Sequence, residues 1–314
     1  MNDTNCAQFW LEEELMKLGG LKTERPNRAS AGLDQLSALE IATLMNRQDA
    51  QVLRAVRRVL PAIAKAIDVI HEHLDQAGRL IYVGTGTSGR IGALDASECP
   101  PTFGTDPEKI QYLIAGGDYA LAHSTEASED SRELGAADIA ARFPTAADVV
   151  VGLAASGRTP YTIAALQYAA AQGAATIAIA CNRGSELAAV VQIAIEPDVG
   201  PEVLTGSTRL KAGTAEKLIC NMLTTGAMAR LGYVYGNLMV NMQLKNEKLL
   251  ERGISIVQRI ARVNHSTALA ALHQADMKIS IALVMLLAKI GKQDAIEKLA
   301  RAKGSVRGAI DASS

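Results

Sequence analysis

The chain has 314 residues, 48% of them hydrophobic and only 4% aromatic, with a formal net charge of −1. This length and composition are typical of an α/β enzyme with a sizeable core. The balanced charge, without Lys/Arg blocks or a long apolar run, argues against nucleic acid and membrane as partners.

Two further patterns concern the compartment and metals. The N-terminus lacks a basic segment followed by an apolar segment, so no signal peptide is predicted and we expect a cytoplasmic protein. The four cysteines form no C-x-x-C motif, which argues against zinc and dithiol redox chemistry. We therefore expect no metal.

The N-terminal part is predicted to be a helical arm. Pro26 and Gly32 interrupt it, and residues 33–46 form a short amphipathic pattern. Apolar residues then recur at helical spacing over 52–74, which predicts a longer helix. Pro61 falls inside this pattern, so we expect a kink or two abutting helices.

The middle of the chain alternates between strand and helix patterns. Two intervening segments, 131–143 and 161–172, are predicted helices. Uninterrupted β-branched runs indicate strands that are covered on both faces. The pattern predicts a doubly wound, parallel, five-stranded sheet in a three-layer α/β/α arrangement. The five predicted strands are 79–83, 110–115, 148–154, 175–181 and 192–197.

The remainder of the chain is predicted to be helical. A long core helix covers about 208–232, and four shorter amphipathic segments follow it to form a C-terminal helical bundle. The chain thus divides into an N-terminal arm and helix (1–50), a sheet domain (51–235) and a C-terminal helical domain (236–314). The four shorter segments are 245–263, 266–274, 278–289 and 292–302.

Two glycine-rich loops follow predicted strands. The first, GTGTSGRIG (84–92), fits the G-x-G-x-x-G dinucleotide pattern, but Asp118, the only acid placed to bind a ribose, comes about ten residues too late. The second, ASGRTP (155–160), also carries hydroxyls, and such loops before helices bind anions. Two small loops suit a compact phosphorylated molecule better than a dinucleotide, although ordinary turns stay an alternative. The candidate phosphate-binding residues are Gly86, Thr87, Ser88, Ser156, Gly157, Arg158 and Thr159.

Two acids are candidates for proton transfer. Glu98 precedes Pro100 and Pro101, which we expect to stop the helix and bury Glu98 in part, and Glu129 follows the second strand. Two carboxylates in different environments supply a general acid and a general base, although either is also explained as a solvated surface charge.

One further segment has an open interpretation. Lys211 and Ser207 lie in TGSTRLKAGTAEK (205–217), which is either a third anion-contacting segment or simply a helix start. No H-E-x-x-H, G-x-S-x-G or G-K-[ST] motif occurs, which disfavours metal, acyl-enzyme and nucleoside triphosphate chemistry.

Three segments together carry a resemblance to a known family. VGTGTSGRIGALDASECPPTFG (83–104), VVVGLAASGRTPY (149–161) and TGSTRLKAGTAEK (205–217) resemble N-acetylmuramic acid 6-phosphate etherases, of the sugar isomerase (SIS) domain superfamily. The resemblance runs from about Thr23 to near the C-terminus. Glu216 departs from the family, which often has an amide there, and this departure suggests no function.

The resemblance implies a SIS fold and a lyase that removes D-lactate from C3 of the sugar by elimination and water addition, in cell-wall recycling. It implies that Glu98 protonates the departing lactate oxygen and that Glu129 transfers the C2 proton, although another C2 base stays open. The two loops would hold the 6-phosphate. The resemblance implies no cofactor, and it implies a homodimer.

Two other functions stay open within the superfamily. One is a sugar-phosphate-sensing regulator of a kinase, resembling the glucokinase regulatory protein, and the other is an aldose–ketose isomerase. Regulators of that kind are usually longer, with a second SIS domain. An isomerase needs ring opening and C2 proton transfer but no acid at C3.

Overall fold

The computed structural model describes residues 20–123 and 128–311, and in them five parallel strands form one sheet in the order β2-β1-β3-β4-β5. Leu80 of the central strand β1 is aligned with Ile110 on one side and Val149 on the other. The central strands are wholly buried, as a parallel sheet requires, so the predicted sheet is confirmed. The strands are β1 (Leu80–Gly84), β2 (Ile110–Ile114), β3 (Val149–Leu153), β4 (Ala175–Ile179) and β5 (Ile193–Ile195).

Helices cover both faces of the sheet and give three layers. Four helices pack on one face and two on the other, and each face has its own apolar cluster. The first face carries α1 (Ala38–Arg58), α2 (Leu60–Asp75), α3 (Gly86–Phe103) and α6 (Lys211–Arg230). The second face carries α4 (Arg132–Ala140) and α5 (Pro160–Ala171).

The N-terminal helices divide differently from the prediction. A capping box between Ser37 and Glu40 starts α1, which runs unbroken across residue 50, so a boundary there would cut a helix. Val59 separates α1 from α2, and Pro61 lies in the first turn of α2, where its missing N–H costs no helical hydrogen bond. The structure thus confirms the alternative of two abutting helices at Pro61.

The expectation that Pro100 and Pro101 stop a helix is wrong. They lie inside the last turns of α3, which continues through both to Phe103 although each lacks the N–H for a helical hydrogen bond. The helix ends at Gly104, whose φ of +67° lets its N–H donate to the Pro100 carbonyl at 2.9 Å.

The C-terminal helical bundle is confirmed and has its own apolar core, which includes Ile254, Leu272 and Leu283. Its last helix, α11, had no predicted counterpart. No single helix in the described ranges is long and apolar enough to cross a membrane, and α8 and α9 reach such a length only as a pair bent by 112°. The bundle consists of α7 (Glu247–Ala261), α8 (His265–Gln274), α9 (Ile279–Ala288), α10 (Lys292–Arg301) and α11 (Val306–Asp311).

Candidate active site

The two glycine-rich loops leave neighbouring strands. The first follows β1 and the second follows β3, and these strands pair along their whole length. The chain turns to opposite faces of the sheet after them, since α3 and α5 belong to different layers. The loops therefore flank the crevice in which open α/β sheets bind ligands.

The first loop brings a carboxylate close to a helix start. Gly86 has a φ of +50°, and a Cβ there would lie 3.0 Å from Oε1 of Glu129. Thr85 precedes α3, and its side chain makes no capping hydrogen bond to the N–H groups of the first turn. The loop thus combines the positive dipole end of a helix with a nearby acid.

The second loop is equally tight. Gly157 has a φ of +74°, and a Cβ there would stand 2.3 Å from Cβ of Ser185, so no larger residue fits. The Ser156 hydroxyl accepts the Arg158 N–H at 3.3 Å. Thr159 precedes α5 and makes no capping hydrogen bond through its side chain. This hydroxyl is therefore available to a ligand.

A cleft of about 290 Å³ brings the second loop and Glu129 together. The Tyr161 N–H donates to the Glu129 carbonyl at 3.1 Å, which ties the segment that carries Glu129 and Asp130 to the first turn of α5. The position of Glu129 therefore depends on the same helix that carries the loop. The cleft is lined by Leu21, Glu24, Glu129, Asp130, Ser156, Arg158, Thr159 and Pro160.

The N-terminal arm contributes to the cleft, which the sequence reasoning missed. Glu24 lines it, and Asn182 holds the arm in place by accepting the Lys22 N–H at 2.8 Å. The Asn182 amide also donates to the Thr23 hydroxyl at 3.0 Å and to the Ser156 carbonyl at 3.3 Å. A polar residue directly after the run ATIAIAC was the available signal.

Glu98 is separated from the cleft within one chain. It is exposed on α3, twelve residues after Gly86, which corresponds to about 18 Å of helix. Glu129 lies against Gly86, so a single chain does not bring the two carboxylates together. The expected partial burial of Glu98 beside the prolines is wrong, because it faces outward while Asp95, one turn earlier, is buried.

Lys211 is placed in the interior and not at the cleft. Its ammonium group donates to the Val199 carbonyl at 2.9 Å, and its side chain is wholly buried. Glu202 accepts the backbone N–H groups of Lys211 and Ala212 at 3.0 and 2.9 Å, so it caps α6. The helix-start interpretation therefore fits Lys211, which has no exposed surface for a substrate.

Ser207 and Thr87 lie nearer to the cleft. Ser207 follows Gly206, where a Cβ would stand 3.1 Å from Oε2 of the cleft residue Glu24. The Thr87 methyl group packs toward Gly213 of α6, at 3.4 Å from the position of a Cβ there. In the described part of the chain, no three His, Cys, Asp or Glu side chains cluster as a metal site would require.

Ser88 has a partner that the sequence reasoning set aside. Its hydroxyl lies 2.8 and 3.0 Å from the two carboxylate oxygens of Glu216, and both residues are buried. Burial raises the pKa of Glu216 to about 8. A predicted phosphate-binding hydroxyl therefore contacts a buried acid.

Known proteins match the chain at two levels. Residues 62–170 match the family model of the glucokinase regulatory protein N-terminal SIS domain, and residues 143–225 match the SIS domain. A solved phosphoheptose isomerase structure from Francisella tularensis superposes with a TM-score of 0.45 at 16% identity, covering 60% of this chain and 100% of that one.

Two relatives match almost from end to end. The chain is 48% identical to the N-acetylmuramic acid 6-phosphate etherase of Clostridium beijerinckii over 297 residues, 95% of this chain and 98% of the relative. It is 52% identical to the protein of the same name from Serratia proteamaculans over 295 residues, 94% of this chain and 99% of the relative.

Proposed function

The chain belongs to the N-acetylmuramic acid 6-phosphate etherase family, and from that premise we propose how its own residues act. It is a carbon–oxygen lyase that converts N-acetylmuramic acid 6-phosphate and water into N-acetylglucosamine 6-phosphate and D-lactate in amino sugar recycling. The observation that carries the proposed site is the position of Glu129, a carboxylate that lies against Gly86 and lines the cleft with Ser156 and Thr159.

We assign the 6-phosphate to the two loops. The positive dipole ends of α3 and α5 favour an anion, and Thr87, Ser88, Ser156 and Thr159 add hydroxyl donors. The phosphate is remote from the ether bond. Its binding energy therefore serves to position C2 and C3 for reaction.

The chemistry follows from opening the sugar ring. The C1 aldehyde acidifies the C2 proton, which Glu129 removes, and the C3 ether oxygen leaves as D-lactate when an acid protonates it. Water then adds to C3 of the resulting alkene, its proton passes to the carboxylate of that acid, and C2 takes back its proton. Glu98 is the acid in this proposal.

The second carboxylate reaches the site from another copy of the chain. About 18 Å of helix separates Glu98 from Gly86, so we propose a homodimer in which Glu98 of one protomer serves the cleft of its partner. Near Glu98, Leu94 is 50% exposed, and an open apolar groove runs between α2 and α6. Asn221 lines this groove and donates to Asp95, one turn before Glu98. This exposed apolar surface supports an interface beside Glu98.

The test is incubation with N-acetylmuramic acid 6-phosphate and measurement of D-lactate. Stoichiometric release of D-lactate and N-acetylglucosamine 6-phosphate supports the proposal. Binding without turnover would indicate a regulator, and an aldose–ketose product without lactate would indicate an isomerase. We place the reaction in the cytoplasm, in keeping with three buried free thiols in the described chain, at Cys99, Cys181 and Cys220.

A further inference from the structure

Glu216 is a buried acid that the proposed mechanism does not use. Its side chain lies on α6 without exposed surface, and the Ser88 hydroxyl lies 2.8 Å from Oε1 and 3.0 Å from Oε2. Ser88 belongs to the first turn of α3, in the loop that we assign to the phosphate. The acid therefore touches the phosphate site through a single hydroxyl.

The surroundings of Glu216 favour the neutral carboxyl. An ionised carboxylate away from water is costly unless a cation or several donors compensate. Burial raises the pKa of Glu216 to about 8, against the opposing hydrogen bond from Ser88. The thiols that face it, Cys181 after β4 and Cys220 on α6, have pKa values that burial raises well above the ordinary value, so both are neutral near pH 8.

The charged groups on neighbouring elements have other partners. Glu202 is paired with Lys211, the first residue of α6, and the charge of Asp49 on α1 acts to raise the pKa values of both. On α3, Asp95 accepts the Tyr82 hydroxyl at 2.9 Å. Within the described chain, the pKa of Glu216 is shifted by burial and by Ser88. Its protonation is therefore tied to the loop.

Ser88 has only one proton to donate. If Glu216 is ionised, that proton is directed to the carboxylate, and the hydroxyl presents lone pairs to the phosphate. If Glu216 is protonated, its own O–H donates to the Ser88 oxygen, which frees the serine proton for a phosphate oxygen. A nearby carboxylate also repels a phosphate dianion. Both effects favour phosphate binding to the neutral form.

We propose that Glu216 is a positioning residue whose proton decides whether Ser88 can donate to the 6-phosphate of the substrate. This rests on the proposed function in one respect, the assignment of Ser88 to the phosphate. It follows that sugar phosphate binding and protonation of Glu216 are coupled, so each favours the other.

The test is calorimetric binding of N-acetylglucosamine 6-phosphate between pH 7 and pH 9, where the phosphate stays a dianion. If only the protonated form binds well, the apparent Kd of the unaltered protein rises about tenfold over this range. Binding at pH 8 takes up a fraction of a proton, seen as a dependence of the heat on the buffer. Glu216→Gln keeps a donor toward Ser88 at every pH, so its Kd stays within about twofold of its own pH 7 value.

Asp95→Asn is the matched control, because it removes another buried carboxyl whose pKa burial raises and which does not contact Ser88. This variant is expected to keep the tenfold pH dependence. A flat Kd in the unaltered protein, or a tenfold rise that persists in Glu216→Gln, overturns the proposal. Circular dichroism at both pH values establishes that Glu216→Gln is folded.

A second substitution tests the route through Ser88. Ser88→Ala binds more weakly at pH 7 and loses the part of the pH dependence that its hydroxyl carries, so only the part due to repulsion between carboxylate and phosphate remains. An unchanged pH dependence overturns the role of Ser88. The assay does not require turnover. Coupled binding without D-lactate release would therefore contradict the proposed function alone, and D-lactate release with a flat Kd would contradict this inference alone.

Discussion

Complementation between two inactive variants tests whether Glu98 and Glu129 meet across two chains. In a mixed dimer of Glu98→Ala and Glu129→Ala chains, one site receives both intact carboxylates and the other receives neither. Random pairing makes half of the dimers mixed, and half of their sites are intact. The mixture should therefore regain about a quarter of the D-lactate release of the same amount of unaltered protein.

The expectation that the two carboxylates come from different chains rests on the separation of about 18 Å between Glu98 and Gly86 along α3. If both carboxylates served the same chain, mixed dimers would contain no intact site, and activity would stay at the level of the separate variants. The two chains are co-expressed with different tags and the mixed dimer is purified through both, which raises the expected D-lactate release to about half that of the same amount of unaltered protein. Glu98→Ala paired with a differently tagged Glu98→Ala chain is the control. Activity no greater than this control would refute the reasoning.

Four other substitutions have expected outcomes. Glu98→Ala should stop D-lactate release while C2 proton exchange with solvent continues, and loss of exchange by NMR in D₂O would contradict separate roles. Gly86→Ala should lower kcat by at least about tenfold, because its Cβ would stand 3.0 Å from Glu129 Oε1; near-normal turnover would count against the position of that acid. Asp148→Asn should cost about 3 kcal/mol in urea unfolding, because Asp148 accepts five hydrogen bonds. Burial raises the pKa of Asp148, but these hydrogen bonds outweigh it, so the pKa is lowered. The stabilisation by Asp148 is therefore present above the ordinary aspartate pKa and is lost as pH falls through the lowered value. An equal cost of Asp148→Asn at pH 7 and at pH 2 would contradict this. Ser156→Ala should raise the Kd for N-acetylglucosamine 6-phosphate by the same factor at pH 7 and pH 9, and a factor that changes with pH would be evidence against it.

Most of the sheet is predictable from the sequence for a physical reason. A parallel strand covered on both faces must be apolar throughout, so runs such as 79–83 and 148–154 identify strands by themselves. The loops are equally local, because Gly86 and Gly157 occupy left-handed conformations that other residues rarely adopt. These features depend on neighbours in sequence.

Features that depend on distant contacts were not predictable. Asn182 joins the arm to the second loop across about 160 residues of sequence, which no periodicity reports. Pro100 and Pro101 were expected to end a helix because a proline beyond the first turn loses a hydrogen bond and clashes with the carbonyl four residues earlier, yet α3 continues through both to Phe103. The exposure of Glu98 on α3, about 18 Å along the helix from Gly86, depends on which face of the helix packs on the sheet, and the motif that contains Glu98 carries no information about that.

The two serines assigned to the phosphate also differ in whether their partner is a neighbour in sequence or a distant residue. Ser156 accepts the backbone N–H of Arg158, a donor that does not titrate, so its own proton is free to reach the ligand at every pH. Ser88 faces a carboxyl that does titrate, so its proton is free only when Glu216 holds one. Both residues look alike in the sequence, as hydroxyls in glycine-rich loops. Because their partners differ, the second loop should contribute a constant part of phosphate affinity and the first loop a part that falls as pH rises above the pKa of Glu216.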